Sequence, residues 1–373
     1  MRISTRCSFA KRKHRERFGR RVGSEVSADL AGWLQRRWYA PGTSGSVVDF
    51  GLRMLAALYA AAIGLRRGAY RHGWLRVQRI GVPVIVVGNL GVGGTGKTPL
   101  VIALIEPLRA AGWNPGVVSR GYGRRSRGLR RVDANTRPSE GGDEPVSIAR
   151  RTGAPVVVDA DRVAAARALH AHGCDVIVAD DGLQHYRLHR DLEIEVIDGV
   201  RGYGNGRLLP AGPLREPVGR AQDCDFHVVN SGDAAVAAKA RYNMQLRGAE
   251  LVGLDGRQCK LLATLAGCRV HAVAGIGAPA RFFGMLRQAG IEPVEHAFAD
   301  HHAYRAQDFA FDEALPIVMT EKDAVKCGSF ALPDAWMLPV RAHLDDAFFA
   351  AVIAQLSALA STAASDPGSG AAA

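Results

Sequence analysis

The chain has 373 residues and a formal net charge of +12, and 47% of its residues are hydrophobic. This composition excludes a natively unfolded chain, and the length is enough for two domains or one large α/β domain. The positive charge favours anionic partners, whether nucleic acid, acidic lipid or a phosphorylated substrate. The six cysteines are scattered without a C-x-x-C pair, which is typical of a reducing compartment and disfavours a zinc site.

Residues 1–27 are basic and poor in apolar side chains, so we expect a disordered extension without a signal peptide. Residues 28–80 are predicted to be a helical segment, because apolar residues recur every three to four positions between Phe50 and Leu65. The apolar run from Met54 to Leu65 is shorter than the roughly 20 residues of a membrane span. Two interpretations remain: an arginine-flanked helix in the membrane interface, or an amphipathic helix packed on the domain.

The most specific pattern in the chain is an octapeptide that fits the phosphate-binding P-loop, G-x-x-x-x-G-K-[ST]. Its residues are Gly91, Val92, Gly93, Gly94, Thr95, Gly96, Lys97 and Thr98. Apolar runs precede and follow it, as expected for a strand, a loop and a helix. Glycines let backbone N–H groups surround an anion at the positive end of that helix. We therefore predict a nucleotide-phosphate site, with Lys97 on the β- and γ-phosphates and the Thr98 hydroxyl on Mg²⁺.

Residues 81–240 alternate short β-rich runs with helical patterns, which predicts a P-loop core whose mostly parallel sheet is covered by helices. The predicted strands after the P-loop are 117–119, 155–158, 176–179, 194–197 and 226–229. The third is followed by Asp180 and Asp181, and an acid at the end of such a strand can support Mg²⁺. Adjacent strand residues face opposite sides, so both carboxylates reach one ion only if the strand has ended.

Other polar residues of the core have both a functional and an ordinary explanation. The block at the end of the predicted strand 117–119 could clamp phosphates or form a solvated loop, and it contains Ser119, Arg120, Tyr122 and Arg124. Asp143 stands at a predicted helix start, where an acid often only stabilises the helix dipole. Glu216 lies in a proline-stiffened loop that could bring its carboxylate near a metal.

The C-terminal third is predicted to be a β-rich connection over 241–267, a smaller α/β lobe over 268–360 and a disordered tail over 361–373. Within the lobe, the run Asp300-His301-His302 could supply a proton acceptor or lie on the surface. The segment Thr320–Lys326 fits only loosely the Lys and Asp spacing with which some P-loop proteins bind a purine base.

Several of these blocks, in their order along the chain, resemble the tetraacyldisaccharide 4′-kinase family, the lipid A 4′-kinases. The matching blocks are 88–98, 119–124, 142–145, 180–185, 204–217, 275–277, 282–283, 300–301 and 320–326. The resemblance implies transfer of the ATP γ-phosphoryl group to the 4′-hydroxyl of a lipid A disaccharide precursor, with Mg²⁺ as cofactor. It also implies peripheral attachment to the cytoplasmic face of a Gram-negative inner membrane, which favours the interfacial interpretation of the helix. No nucleic acid and no protein partner is expected.

The resemblance also assigns roles. It implies that Lys97 and the P-loop amides hold phosphates and that Thr98 and Asp180 or Asp181 hold Mg²⁺, with Glu216 as a helper. Asp143 and His301 correspond to a pair that takes the proton of the acceptor hydroxyl. The residues expected to contact the substrate or the transferring phosphate are Ser119, Arg120, Tyr122 and Arg124.

Three other P-loop classes compete with this interpretation. A regulatory ATPase at the membrane surface is the main alternative, although that group has a Lys before the paired glycines, where this chain has Val92. The positive charge also suggests a nucleic-acid-binding ATPase, but much of it lies in the N-terminal extension and beside the apolar helix. A GTP-binding switch needs a clear Asn-Lys-x-Asp base reader, which Thr320–Asp323 only approximates.

Overall fold

The computed structural model describes residues 32–39, 46–231, 241–300, 302–328 and 330–365. The predicted basic extension over 1–27 therefore lies outside the described residues. Residues 32–39 form the first helix, α1. The second, α2, spans Val47–Arg71, and the Ser46 side chain caps it by accepting a hydrogen bond from the Asp49 N–H.

Nine strands form the larger sheet, in the order β15-β8-β7-β6-β1-β5-β2-β4-β3. Its strands are β1 (Val84–Gly88), β2 (Pro115–Ser119), β3 (Arg130–Val132), β4 (Val156–Val158), β5 (Val176–Asp180), β6 (Leu192–Asp198), β7 (Phe226–Asn230), β8 (Arg241–Arg247) and β15 (Arg341–His343). All neighbours are parallel except the edge strands β3 and β15, which run antiparallel to β4 and β8. The predicted core with a mostly parallel sheet is confirmed, and each predicted strand after the P-loop is present.

Helices cover both faces of this sheet. They are α3 (Lys97–Ala110), α4 (Pro138–Gly141), α5 (Asp143–Thr152) and α6 (Arg162–Ala171). Asp161 caps α6 by accepting hydrogen bonds from the Val163 and Ala164 N–H groups, which fixes the start of this helix. The two faces bury separate apolar clusters, one centred on Leu100 and Leu104 and the other on Leu169 and Leu183.

A second sheet of six strands forms the smaller lobe, in the order β10-β9-β14-β13-β11-β12. Its strands are β9 (Glu250–Gly253), β10 (Cys259–Leu261), β11 (Arg269–Ala274), β12 (Glu292–Ala297), β13 (Ile317–Thr320) and β14 (Ala335–Leu338). Its helices are α7 (Pro279–Gln288) and α8 (Glu321–Cys327). Strands β12, β11, β13 and β14 are parallel, while β9 and β10 pair antiparallel at the edge opposite β12.

The end of the chain returns to the larger lobe, which differs from the predicted division. Strand β15 pairs with β8, and the last helix, α9 (Asp346–Ser365), packs Phe348 and Val352 into the apolar cluster around Leu104. The segment predicted as a connection is likewise shared, because β8 belongs to the larger sheet and β9 and β10 to the smaller one. Helix α9 also passes the predicted tail boundary at residue 361, since its alanine-rich sequence continues to favour helix.

Candidate active site

A cleft of about 1300 Å³ is lined by residues of both lobes. The larger lobe contributes the P-loop, the ends of β2 and β5, the first turn of α5 and one side of α2, and the smaller lobe contributes α7 and the start of α8. Parallel strands of both sheets end here, which is where ligands bind in open α/β sheets.

The P-loop has the backbone geometry that its glycines predict. Gly96 precedes α3 with a φ of 98°, and a Cβ there would come within 2.7 Å of the Asn230 amide nitrogen. Asn230 in turn donates a hydrogen bond to the Thr95 carbonyl oxygen at 2.8 Å. A residue with a side chain would therefore both strain the backbone and collide with its neighbour. Because Gly96, Lys97 and Thr98 line the cleft, the unpaired first N–H groups of α3 are available there to bind an anion.

Not all of the octapeptide reaches the cleft. Residues from Gly93 to Thr98 line it, whereas Gly91 and Val92 lie against the loop before Arg215. The Val92 N–H donates to the Pro213 carbonyl oxygen at 2.9 Å. These first two residues therefore anchor the loop, while the later ones face the ligand site.

Lys97 is held in the cleft by two polar neighbours. Its Nζ donates to Asn89 Oδ1 at 3.0 Å and lies 3.7 Å from Asp181 Oδ1. Only 11% of its side chain is exposed, so the ammonium is directed toward the P-loop rather than toward bulk solvent. This is the placement that phosphate binding by a P-loop lysine requires.

The two acids after β5 have different environments. The strand ends at Asp180, and Asp181 adopts a left-handed φ of 49°, so both carboxylates line the cleft. Arg215 binds the Asp181 oxygens at 3.0 and 3.1 Å. Although burial opposes it, the charges of Lys97 and Arg215 hold the pKa of Asp181 below its usual value.

Asp180 is fully buried and only half satisfied. The Ser119 hydroxyl donates to Asp180 Oδ2 at 3.3 Å, while Asp180 Oδ1 has no hydrogen-bond partner among the residues that the structure describes. Burial, together with the nearby charges of Glu144 and Asp181, raises the pKa of Asp180 to about 7. A buried carboxylate oxygen without a partner is costly, and a bound cation would offset that cost.

Glu216 is buried in the same wall of the cleft. It accepts hydrogen bonds from the Tyr186 hydroxyl and, at 3.2 Å, from Gln184 Nε2. Both carboxylate oxygens thus have protein partners. Within the described parts of the chain, no cluster of three or more His, Cys, Asp and Glu residues is arranged to hold a metal alone.

The four predicted substrate residues are separated by the structure. Arg120 and Tyr122 line the cleft, and the Tyr122 side chain is 60% exposed. Ser119 is buried, and its hydroxyl donates a hydrogen bond to Asp180. Arg124 is not among the described residues that line the cleft, and it donates instead to the Val158 carbonyl oxygen at 3.3 Å.

The predicted acceptor-side pair is described in part. Asp143 begins α5 and lines the cleft, and its Oδ2 lies 3.5 Å from Lys326 Nζ. His301 lies outside the described residues. Its neighbour Asp300 lines the cleft, whereas His302 Nε2 lies 3.0 Å from Asp308 Oδ2.

Within the loosely matched base-reading segment Thr320–Lys326, Thr320, Glu321 and Lys322 line the cleft, but the acid, Asp323, does not. Asp323 is fully buried, and it accepts hydrogen bonds from the Gly275 N–H at 2.8 Å and the Thr320 hydroxyl at 2.6 Å. Its carboxylate therefore joins β11, β13 and α8 within the smaller lobe. A purine base has no access to it.

Comparison with known proteins identifies the family. The family model described as LpxK, tetraacyldisaccharide-1-P 4′-kinase, matches residues 48–357. The chain belongs to this family. The resemblance predicted from the motif blocks is thereby confirmed.

Relatives named tetraacyldisaccharide 4′-kinase match over most of their length. The chain is 56% identical over 336 residues to that of Xanthomonas axonopodis pv. citri, covering 87% of this chain and 96% of the relative. It is 56% identical over 329 residues to that of Stenotrophomonas maltophilia, covering 86% and 96%. A crystal structure of "apo" form LpxK from Aquifex aeolicus in complex with ATP matches with a TM-score of 0.70 and 29% identity, covering 83% of this chain and 100% of that one.

Several residues in the cleft of this LpxK-family member were missed by the sequence analysis. They are Arg162, Gln184, Arg215 and Lys322, and Asn89, which accepts the Lys97 hydrogen bond, was missed as well. Asn89 directly follows β1, and Arg162 opens α6 just after β4, so a polar residue near a strand end was the available signal. Arg215 shares the proline-stiffened loop with Glu216, and Lys322 belongs to the loosely matched segment Thr320–Lys326, but their contacts with distant parts of the chain could not be predicted from these local patterns.

Helix α2 forms one side of the cleft through Tyr59, Ile63 and Arg66. Its predicted apolar stripe faces outward, with Phe50 66%, Leu58 68% and Leu65 74% exposed, so the stripe is not packed on the domain. By length and composition, α2 is the one described helix that could cross a membrane, and 11% of its most apolar window is buried. The prediction that this segment is too short to cross was wrong, because the helix extends well beyond its longest apolar run.

Proposed function

We propose that this protein is an ATP-dependent kinase that phosphorylates the 4′-hydroxyl of a tetraacyldisaccharide 1-phosphate in lipid A biosynthesis. One observation carries the proposal: a P-loop and an outward-facing apolar helix share a single cleft. The first suits a nucleoside triphosphate, and the second suits an acceptor that is itself a lipid. The names of the relatives support the same activity, and the related crystal structure contains ATP.

On the nucleotide side, the P-loop amides and Lys97 bind the phosphates of ATP. Asp180 and Thr98 would hold Mg²⁺, because Asp180 Oδ1 is buried without a partner among the described residues. Mg²⁺ is usually bound by one or two carboxylates together with substrate phosphates, so a site with few protein ligands suits it. When bound, the ion neutralises charge that develops on the transferring phosphoryl group. Asp181 and Glu216 shape this wall through Arg215, Tyr186 and Gln184.

On the acceptor side, the pair of Asp143 and His301 accepts the proton of the 4′-hydroxyl as its oxygen bonds to the γ-phosphorus of ATP. The bond between that phosphorus and the β,γ-bridging oxygen breaks, and ADP leaves. The hydroxyl is a weak nucleophile until this proton can leave. Positioning and electrostatics carry most of the barrier reduction in phosphoryl transfer, with about 10²–10⁴-fold from acid–base help. Arg120 lines the cleft and supplies a further positive charge for a phosphate of the nucleotide or the acceptor.

Helix α2 attaches the enzyme peripherally to the cytoplasmic face of the inner membrane. The helix rests along the larger lobe: the Tyr59 hydroxyl donates to the Arg215 carbonyl oxygen at 3.2 Å, and Arg67 pairs with Asp223 at 3.0 Å. Near its end, the ring of Tyr70 packs on Tyr186. Contacts spread along the helix keep it on the protein surface, which favours a position in the interface over one that spans the bilayer.

The decisive experiment is transfer of labelled γ-phosphate from ATP to a tetraacyldisaccharide 1-phosphate in detergent micelles with Mg²⁺. We expect labelled lipid from the parent protein and none above background from Lys97→Ala, with the same circular dichroism for both. Steady ATP hydrolysis without labelled lipid would refute the proposal. It would instead support a regulatory ATPase at the membrane surface.

Membrane attachment is tested by flotation with vesicles that contain anionic phospholipid. Leu58→Glu combined with Leu65→Glu should reduce the bound fraction severalfold, because each change places a charge on the apolar surface. The matched control is Leu261→Glu, at a leucine that is 58% exposed on β10 of the smaller lobe. Binding that survives the double change would show that α2 does not mediate attachment.

A further inference from the structure

Helix α8 follows β13 in the smaller lobe, yet its charged residues contact the larger lobe. Glu321 accepts hydrogen bonds from the Ser147 hydroxyl at 2.7 Å and from Arg151 at 3.2 Å, and both donors belong to α5. Lys322 and Lys326 contact the same helix at its first turn. Three residues of α8 thus bind the helix that carries Asp143.

Lys326 links Asp143 to the interior of the smaller lobe. Its Nζ lies 3.3 Å from Asp323 Oδ1 and 3.5 Å from Asp143 Oδ2. Asp323 is itself fixed by the Gly275 N–H and the Thr320 hydroxyl, so the lysine is anchored at a rigid point. Only 11% of the Lys326 side chain and 12% of the Asp143 side chain are exposed, and salt screens such a pair less than a surface pair.

Lys322 makes the corresponding link one turn earlier. Its Nζ lies 3.3 Å from Glu144 Oε1 and 3.0 Å from Asp300 Oδ1. Although burial opposes it, the two carboxylates raise the pKa of Lys322, so this lysine stays charged between them. Asp300 directly precedes His301 in the chain. One ammonium therefore connects the neighbours of both members of the proposed proton-accepting pair.

We propose that Lys326 and Lys322 are positioning residues that bring Asp143 of the larger lobe and Asp300 of the smaller lobe to one point of the cleft. The inference rests on the proposed kinase function, and it gives the Thr320–Lys326 segment a role in place of base recognition. An ammonium on a flexible stem suits this role, because its three donors can bind carboxylates from two lobes at once.

The test compares Lys326→Met and Lys326→Arg in the full-length protein. Lys326→Met should lower kcat for lipid phosphorylation about tenfold or more, within the range of acid–base help. Its affinity for a non-hydrolysable ATP analogue with Mg²⁺ should stay within about twofold, because the P-loop is untouched. Lys326→Arg keeps the charge and should recover most of kcat. A merely structural role would lower stability and analogue affinity together and would not separate these quantities.

The matched control is Lys260→Met. Lys260 lies on β10, pairs with Asp334 at 3.8 Å and contacts the ring of Trp336, so it is a partly buried lysine of the same lobe remote from α5. It should retain parental kcat. A Lys326→Met kcat within about twofold of the parent would overturn the proposal, since positioning that matters must show in turnover.

Hydrogen exchange provides a readout that does not depend on lipid phosphorylation. In Lys326→Met, amides at residues 143–147 should exchange faster than in the parent and in Lys260→Met, because the tie to α8 is lost. If the parent itself labels no lipid, the proposed function fails, and this exchange comparison still decides the positioning role. Unchanged exchange at residues 143–147 would overturn it.

Discussion

Two pairs of acidic residues line the same cleft, and they differ in which lobe supplies their positively charged partners. Asp180 and Asp181 end a buried strand, and the cations near them, Lys97 and Arg215, belong to their own lobe. Asp143 and Glu144 begin a helix, and their partners Lys326 and Lys322 come from the other lobe.

This difference distinguishes the two pairs by role: the first pair is suited to bind a cation, and the second pair joins the two lobes. Asp180 keeps one buried oxygen without a partner in the described chain, and its pKa is raised, so it benefits from a cation that the protein does not supply. The second pair already has two ammonium groups, which a metal would have to displace. An acid cluster should therefore be judged by the cations around it as well as by the number of its carboxylates.

The largest expected effect comes from Asp180→Asn, which removes the carboxylate that we propose binds Mg²⁺. We expect kcat to fall about 10²–10³-fold, as for loss of one preorganised electrostatic group. Binding of a non-hydrolysable ATP analogue should lose its dependence on Mg²⁺, measured by calorimetry with and without the ion. Unaltered Mg²⁺ dependence would show that the ion binds elsewhere, and it would contradict the assignment of the first acidic pair to the metal site.

The same variant should be more stable than the parent when no nucleotide is present. A carboxylate whose folded pKa is about 7, above its unfolded value, loses stability as pH rises toward that folded pKa, because the folded state retains the proton longer. Asp180→Asn should therefore raise Tm at pH 8 and raise it less at pH 5. Scanning calorimetry at both values measures this, and an equal Tm change at the two would contradict the sign.

Asp143→Asn should give the second-largest effect and the opposite pattern. Without the proton acceptor, kcat should fall about 10²-fold, while Mg²⁺-dependent analogue binding remains parental. The measurement is the same calorimetric titration beside single-turnover phosphorylation of the lipid. A loss of Mg²⁺-dependent binding would show that both pairs share one ion.

Glu144→Gln should have the smallest effect. It removes one of two partners of Lys322, and a partly exposed ion pair contributes about 1 kcal/mol, so kcat should fall no more than about fivefold. Because Glu144 helps to raise the pKa of Asp180, the loss of stability between pH 4 and 7 should become less steep. Tm measured across that range tests the coupling, and an unchanged slope would mean that the two pairs are electrostatically independent.

Local sequence patterns were enough to predict most of the fold and the nucleotide side of the site. The P-loop could be located because its eight residues are contiguous, and the acid at Asp180 because it ends a predicted strand. The apolar stripe of α2 could be located from its helical spacing, which left open whether the stripe faces outward or packs on the domain. In each case the relevant geometry lies within one element and its immediate neighbours in sequence.

Contacts between distant segments could not be predicted in this way. Lys326 and Asp143 are brought together only when the two sheets face each other, and the return of β15 and α9 to the larger lobe depends on packing against β8 and α3. Arg124 shows a related limit: its position after a strand is compatible with phosphate binding or with an ordinary loop, and in the structure its guanidinium donates to the Val158 carbonyl oxygen. Side-chain direction in a loop has no periodicity from which it can be inferred.

The attachment of α2 has a practical consequence for making water-soluble forms of the enzyme. The Tyr59 hydroxyl donates to the Arg215 carbonyl oxygen, and Tyr70 packs on Tyr186, which donates to Glu216. The helix therefore supports the loop that carries Arg215 and Glu216. Truncation of α2 would remove these contacts together with the exposed apolar stripe. Replacing outward residues such as Phe50, Leu58 and Leu65 with polar ones would spare them, and it is the better route to a detergent-free preparation.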